Sequence, residues 1–310
     1  MSKWLLALVL VQLYSAPGHA QSNPLWHTQK VKNYLPHMTW PEVDALLTRT
    51  DMVIIPVPAI EEHGPQLPIG TDYLAGEELA KLIAQRTDVL VAPILLPGLS
   101  PYHMEFPGTI ALSADTLQRV YFEAAQSLIH HGFRRFMLTS HTGNQHVSRY
   151  IVDRINQETP GIAVELGDAA APFLPKPKDV NLEQFDRHAG IDETSRALYL
   201  FANLLDMSKA GKNQLTLPDH LQKMLPQVVA GDAVASNVFL AETLKPAATG
   251  KHTSTREMTK SGVWSEGDTR QASADRGRDE SEAFIRASVQ FIDRWKTLTP
   301  LKPLAERRNY

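Results

Sequence analysis

The sequence has 310 residues, of which 43% are hydrophobic and 21% are charged, and it contains no cysteine. The hydrophobic fraction can fill a sizeable core, which excludes a largely disordered chain. Its 31 basic and 34 acidic residues give a formal net charge of −3, so no broad basic surface is available for nucleic acid. Without cysteine, any metal must bind to histidine and carboxylate.

The first twenty residues have the pattern of a secretory signal. Lys3 precedes an apolar run over residues 4–14, and the small residues Gly18 and Ala20 stand where a signal peptidase requires them. The run is shorter than the about 20 residues that span a bilayer. We therefore expect cleavage after Ala20, a secreted or periplasmic protein with no membrane partner after cleavage, and a leader over residues 21–38. An uncleaved interfacial anchor is the alternative.

Patterns of helix and strand then alternate along the chain. Thr39 and Glu42 form a predicted capping box at the start of a helix. Buried strands are predicted over 52–59, 89–96, 133–139 and 162–166, and helices over 73–86, from Ser113 to Gly132, and over 145–157. The two prolines in 52–59 place that strand near an edge or a strand end. This order predicts a parallel sheet with helices on both faces and functional groups at the carboxyl ends of its strands.

The rest of the chain gives weaker signals. Residues 169–187 are rich in proline and charge and are predicted to form a long loop, followed by a helix over 193–205. Residues 207–278 are polar, with only weak helical patches, and a closing amphipathic helix is predicted over 281–295. We expect one compact domain over residues 39–310.

Histidine and carboxylate concentrate in three short segments. In the first, Glu61 and His63 are two apart, so an extended backbone points them the same way, and a turn at Gly64 can bring Asp72 back toward them. The other segments are 140–144, directly after a predicted strand, and 188–195, at a junction of loop and helix. These side chains suit Zn²⁺, Mn²⁺ or Fe²⁺, although none has the spacing of an HExxH motif.

The sequence resembles the creatininase family of metal-dependent amidohydrolases. Four ordered motifs carry the resemblance: residues 61–72, read Glu-Glu-His-Gly-Pro-Gln-Leu-Pro-Ile-Gly-Thr-Asp, Phe-Pro-Gly-Thr at 106–109, His-Thr-Gly-Asn at 141–144, and His-Ala-Gly at 188–190 with Glu-Thr-Ser at 193–195. A weaker similarity to the family follows at residues 261–264, Ser-Gly-Val-Trp. The resemblance implies a three-layer α/β/α fold with a mainly parallel sheet, and a homo-oligomer, often a hexamer.

The resemblance also implies roles for particular residues. Glu61, His63, Asp72 and His141 correspond to metal ligands, with Asp72 bridging two divalent ions. His188 corresponds to a histidine that transfers a proton.

The sequence departs from creatininase itself at two of these places. Gly143 stands where creatininase has a glutamate ligand, which weakens the second metal site and argues against creatinine as the substrate. Glu193 is a plausible substitute ligand. Arg187 precedes His188 where creatininase has an acid. Tyr102 and His103 precede the 106–109 motif, which borders the pocket in the family, so we expect both to contact substrate.

Each assignment has a simpler alternative. His63 and Asp72 could be a hydrogen-bonded loop pair, and His141 could cap the following helix. Glu193 could complement a helix dipole, and His103 could pack a loop. We expect hydrolysis of a carbon–nitrogen bond in a small non-peptide amide, cyclic or linear, by a metal-activated hydroxide. The alternatives are an exported metal- or ligand-binding protein without turnover, and a lactone hydrolase.

Overall fold

A computed structural model describes residues 29–140, 144–175, 185–243 and 255–308. By its internal contacts the chain divides into residues 1–30 and 31–310, and all of the described helices and strands belong to the second unit. In the described ranges no helix is both long enough and apolar enough to cross a bilayer. The predicted signal at 1–20 and the first part of the leader lie outside the described residues and stay predictions.

The central feature is a parallel sheet of four strands in the order β2-β1-β3-β4. Its strands are β1 (Met52–Val57), β2 (Leu90–Val91), β3 (Arg135–Ser140) and β4 (Ile162–Glu165). The predicted parallel sheet is thus confirmed. Pro56 lies next to the end of β1 and beyond Ile54, the last residue that pairs with β2, so its missing N–H interrupts no pairing with that strand. β2 is shorter than the predicted strand, since Pro93 follows directly after Ala92.

Helices cover both faces of the sheet. They are α1 (Trp40–Leu47), α2 (Thr71–Thr87), α3 (Ala114–His131), α4 (Gln145–Glu158) and α5 (Leu166–Ala170). The capping box of Thr39 and Glu42 is present at the start of α1. Ser113 Oγ accepts a hydrogen bond from Thr116 N at the start of α3, and Gly132 ends that helix with a φ of 110°. Local capping chemistry therefore sets these helix boundaries.

The remaining elements follow in chain order. They are β5 (Asp186–His188), α6 (Ile191–Phe201), β6 (Lys212–Asn213), α7 (Asp219–Val229), α8 (Ala233–Thr243), α9 (Thr255–Met258), β7 (Trp264–Ser265), β8 (Gly267–Asp268), α10 (Ala274–Leu298) and α11 (Leu304–Arg308). Short 3₁₀ turns connect several of them. The last long helix begins seven residues before the predicted start at 281, because Ser273 Oγ accepts from Arg276 N and caps it there. The predicted loop at 169–187 contains the end of α5, a 3₁₀ turn at Ala171–Phe173 and the start of β5.

Alternating strand residues divide the core into two layers. Val53, Ile55, Phe136 and Leu138 pack with residues of α1, α3 and α4. Met52, Ile54 and Met137 face the other way and pack with residues of α2 and α10. This is the predicted three-layer α/β/α fold. A separate cluster of Phe185, Phe239, Leu221 and Met258, with Trp264 against it, holds the later, more polar part of the chain together.

Candidate metal centre

The site lies beyond the carboxyl end of β1. Glu61 N donates to Ile69 O at 3.2 Å, and this bond closes the loop that brings the chain back to Asp72, the second residue of α2. Gly64 makes the turn with a φ of +66°, and a Cβ there would lie 2.6 Å from Val263 Cγ2. The turn predicted from Gly64 is therefore present, and it buries Glu61, His63 and Asp72 together.

His63 lies at the centre of the first group of donors. Its Nδ1 is 3.0 Å from the carbonyl oxygen of Glu61, which can only accept, so Nδ1 carries the proton of that bond. Its Nε2 faces Asp72 Oδ1 at 3.4 Å and Glu193 Oε2 at 3.7 Å. A donor atom of each of these three residues lies within 4.8 Å of the other two. The structure thus brings Glu193, from the first turn of α6, to residues more than a hundred positions earlier.

A second group of donors joins His188 to the same loop. Donor atoms of Glu61, His63 and His188 lie within 4.8 Å of one another. His188 Nδ1 is 3.8 Å from Glu61 Oε1, and its ring centroid is 4.4 Å from that of His63. Ser100 Oγ donates a short hydrogen bond to Glu61 Oε2. Ser100 was not singled out from the sequence, where nothing distinguishes it from other loop serines.

A third group contains Glu62, which sequence reasoning passed over although it stands between two predicted ligands. Glu62 Oε1 is 2.9 Å from His103 Nδ1 and 3.4 Å from His188 Nε2. His103 is 2% exposed, and its Nδ1 is also 2.9 Å from Thr255 Oγ1. Tyr102 is half-buried, and its ring makes a T-shaped contact with that of His103, with centroids 4.6 Å apart. The predicted substrate contacts of Tyr102 and His103 stay predictions.

His141 and Gly143 lie outside the described residues. His141 directly follows Ser140, the last residue of β3, and β3 pairs with β1 along its whole length. Its predicted role as a ligand stays a prediction.

Charges crowded away from water shift several pKa values. Burial and the neighbouring Asp72 raise the pKa of Glu61. Burial lowers the pKa of His63, but Asp72 and Glu193 outweigh it and raise that pKa well above its usual value. A divalent cation among these carboxylates would reverse the shift on Glu61, because a cation favours the ionised form.

The two other histidines are shifted in opposite directions. Burial and His63 lower the pKa of His188, but Glu62 outweighs them and raises it to about 9. Burial and His188 lower the pKa of His103 to about 4, against the raising effect of Glu62. Burial raises the pKa of Glu62 itself, but hydrogen bonds from His103 and His188 outweigh it and lower that pKa to about 2.

These residues fit a divalent metal ion. His63 Nε2 is buried, makes no hydrogen bond to any described residue, and points at two carboxylates. A protonated Nδ1 on a backbone carbonyl is the usual arrangement that orients a metal-binding histidine. Imidazole nitrogen with carboxylate oxygen is a donor set for zinc, manganese or iron.

A family model described as "Creatininase: Creatinine amidohydrolase" matches residues 36–292. The chain belongs to the creatininase family. Creatinine amidohydrolase of Pseudomonas putida is 27% identical over an alignment of 203 residues, and the match covers 57% of this chain and 75% of that protein. A 3-dehydro-scyllo-inosose hydrolase of Thermotoga maritima is 28% identical over 178 residues, 56% of this chain and 57% of that protein. A mycofactocin precursor peptide peptidase of Mycolicibacterium smegmatis is 28% identical over an alignment of 192 residues, and the match covers 59% of this chain and 70% of that protein.

Solved creatininase structures share the fold. A tryptophan-to-alanine mutant creatininase has a TM-score of 0.62 and 21% identity, and the match covers 87% of this chain and 99% of that one. A glutamate-to-glutamine mutant of the Zn-Zn type has a TM-score of 0.60 at 19% identity, covering 88% of this chain and 100% of that one. A structure described as "Creatininase Mn" has a TM-score of 0.58 at 20% identity, covering 87% and 99%. This creatininase-family chain is a metal-dependent amidohydrolase, and its relatives' names span three different substrates.

Proposed function

We propose that this protein hydrolyses a carbon–nitrogen bond in a small non-peptide amide, cyclic or linear, with two divalent metal ions bound at the loop after β1. The observation that carries the proposal is the convergence of Glu61, His63, Asp72 and Glu193 beside His188. All five come from the motifs that match the family, and three of them are separated from the other two by more than a hundred residues.

We assign the ligands from this geometry and from the resemblance. His63, Asp72 and Glu193 would hold one ion, and Glu61 with Asp72 and His141 would hold the other. Bound divalent ions supply Lewis acidity, which lowers the pKa of water and polarises a carbonyl oxygen. Glu193 would supply the carboxylate ligand that Gly143 cannot supply.

His188 would move the proton that the reaction needs. A departing amide nitrogen must be protonated before it can leave, and a histidine within reach can provide this proton. His188 is buried against His63, and its Nδ1 lies on the side of Glu61. It therefore stands next to the place where the scissile bond would bind.

We further propose that the protein acts outside the cytoplasm, as a secreted or periplasmic homo-oligomer. The charged start, short apolar run and small residues up to Ala20 support export. The amino-terminal sequence of the exported protein would test this: a start at Gln21 is expected, and retention of residue 4 in the mature protein would contradict cleavage. Sedimentation of the same material would give the subunit number.

Elemental analysis of the mature protein, combined with assays on cyclic and linear amides, lactones and short peptides, tests the activity. We expect two divalent ions per chain and amide hydrolysis that a chelator abolishes. His188→Ala should keep its metal and lose about 10²–10⁴-fold in turnover. The matched control His130→Ala changes an exposed histidine at the end of α3 and should leave turnover unchanged.

Other outcomes would point to other functions. One ion with no hydrolysis across the panel would favour a binding protein. Cleavage of lactones alone would favour a lactone hydrolase. A peptide peptidase is among the relatives. Cleavage of peptides but not of small amides would therefore show that the substrate is a peptide and not a small non-peptide amide. Full turnover by His188→Ala would remove His188 from the mechanism.

A further inference from the structure

His188 has a fixed hydrogen-bond donor on one of its two ring nitrogens. Its Nε2 lies 2.6 Å from the backbone carbonyl oxygen of Glu62. A carbonyl oxygen can only accept, so Nε2 carries a proton whatever the charge of the ring. Its other nitrogen, Nδ1, lies 3.8 Å from Glu61 Oε1. Only Nδ1 is therefore free to gain and lose a proton on the side of the proposed metal ligands.

His103 is held by the same residue. Its Nδ1 is 2.9 Å from the carboxylate of Glu62, while its Nε2 is 3.5 Å from Glu61 Oε1. Thr255 Oγ1 also contacts His103 Nδ1 and can donate onward to Tyr102 O at 3.2 Å. The ring of His103 stacks on that of His188, with centroids 4.3 Å apart and an interplanar angle of 24°. The stacked ring of His103 thus restricts rotation of the ring of His188.

Glu62 is itself fixed on several sides. Its N donates to Thr109 Oγ1 at 3.1 Å, and its Oε2 accepts from Gly64 N at 3.0 Å. A Cβ at Gly262 would lie 2.0 Å from Glu62 Oε2, so the chain packs against this carboxylate as closely as glycine allows. Thr109 belongs to the 106–109 motif, which therefore contacts the site through the backbone of Glu62.

We propose that Glu62 is a positioning residue that, together with His103, fixes the orientation of His188 so that His188 exchanges its proton through Nδ1. The carbonyl of Glu62 holds His188 Nε2–H, and its carboxylate holds His103 Nδ1–H with the ring stacked against His188. The catalytic part of this inference rests on the proposed function. The tautomer of His103 follows from the hydrogen bonds alone.

A spectroscopic experiment reads these tautomers without any substrate. Histidine labelled with ¹⁵N in the full protein, recorded with Zn²⁺ and again in chelator, reports which ring nitrogen carries the proton. Signals are assigned with His103→Asn and His188→Ala. We expect His103 with its proton on Nδ1 and no zinc on either nitrogen, and Nε2 of His188 protonated at every pH. A proton on His103 Nε2, or zinc bound to His103, would overturn the proposal.

Kinetics with paired variants test the effect on turnover. Glu62→Gln keeps an oxygen that can accept from His103, whereas Glu62→Leu does not. We expect Glu62→Leu to lose about 10–100-fold in kcat with KM and zinc content unchanged, and Glu62→Gln to recover most of that loss. His103→Asn keeps a donor near Nδ1 and should outperform His103→Leu by a similar factor, which gives a second test if Glu62→Leu does not fold.

The failures of the two proposals are distinguishable. Wild-type turnover by both leucine variants, or an equal loss in the leucine and amide variants, would overturn the positioning role while leaving the amidohydrolase intact. A protein that hydrolyses no amide but shows the expected tautomers would overturn the proposed function and support the placement of His103 and His188 by Glu62.

Discussion

Buried carboxylates have different partners at the two ends of the parallel strands. At the amino ends of β1 and β3, Asp51 and Arg135 are 6% and 5% exposed, and Arg135 Nε donates to Asp51 Oδ1 at 2.6 Å. Arg135 also donates to Thr299 O at 2.9 Å. Past the carboxyl ends, Glu61 and Glu62 are as deeply buried, but within the described residues they contact histidines, hydroxyls and backbone amides and no lysine or arginine.

The difference separates structure from function. At the amino end a guanidinium of the chain satisfies the carboxylate, which fixes the fold there and leaves nothing for a ligand to do. At the carboxyl end no described lysine or arginine contacts the carboxylates of Glu61 and Glu62, so a metal cation from outside is a favourable partner. Burying charge in this way costs stability in the absence of the cation.

Breaking the amino-end pair should give the largest loss of stability. Arg135→Leu leaves Asp51 buried without its cation, so we expect the free energy of unfolding to fall by about 3–5 kcal/mol. Urea unfolding followed by circular dichroism would measure it. The matched control Arg149→Leu removes an exposed pair with Asp168 and should change stability little. Equal losses in the two variants would show that burial does not distinguish these pairs.

Zinc should stabilise the protein through the site at the carboxyl end of the strands, independently of the Asp51–Arg135 pair at the amino end. At free Zn²⁺ about 100 times the Kd of a site, each ion that binds only the native state adds about 2.7 kcal/mol to the free energy of unfolding. The Arg135→Leu variant should gain the same increment, since the two sites lie at opposite ends of the strands and act independently. An increment lost in that variant would mean that the two ends are coupled.

Removing one carboxylate from the cluster should stabilise the metal-free protein. Asp72→Asn relieves the repulsion of buried charges, so we expect a gain of about 1 kcal/mol in chelator, and no increment from zinc. Urea unfolding with and without Zn²⁺ gives both quantities. A variant less stable than the wild type in chelator would show that Asp72 is needed for the fold, as Asp51 is.

An effect of similar size is a pH dependence at Asp88, which precedes β2. Burial raises the pKa of Asp88, but hydrogen bonds from Asn33 and Arg49 outweigh it and lower the pKa to about 2. A lowered pKa gives stability that is present above the unfolded value near pH ~3.9 and is lost as pH falls toward 2. After screening, since the side chain is 33% exposed, we expect about 1 kcal/mol.

Asp88→Asn is the variant for this measurement. Asp88 has a φ of 58°, a conformation that asparagine also tolerates, so the backbone should not change. The stability difference between wild type and variant should be full at pH 5 and vanish near pH 2 in thermal unfolding. A difference that does not depend on pH would contradict the ionic origin.

Much of the first half of the fold could be predicted from the sequence. Apolar runs such as Met52–Val57 and capped helices such as α3 carry local signals strong enough to fix element type and order. The later part could not be predicted, because β5 and β7 are two or three residues long and their polar residues are held by contacts distant in sequence. Ser265 Oγ, for example, bonds both Asp186 and His188.

The site could be predicted in part for the same reason. Glu61, His63 and Asp72 lie in one motif, and the Gly64 turn that joins them was readable from the sequence. Glu62 could not be assigned, since its partners His103, His188 and Thr109 come from three other segments. Only the folded chain shows that these segments meet.

The bond from Arg135 to Thr299 has a consequence for how the molecule is assembled. The four strands of the sheet follow one another within the first 165 residues. The guanidinium of Arg135, at the amino end of the sheet, can make its hydrogen bond to Thr299 O only after residue 299 has been synthesised and has docked. Arg307, near the end of the described chain, likewise donates to the backbone carbonyl oxygens of Gly132 and Leu47. A chain in which these residues have not yet docked would hold its sheet without these hydrogen bonds, so docking of α10 and the residues after it should be a late folding event.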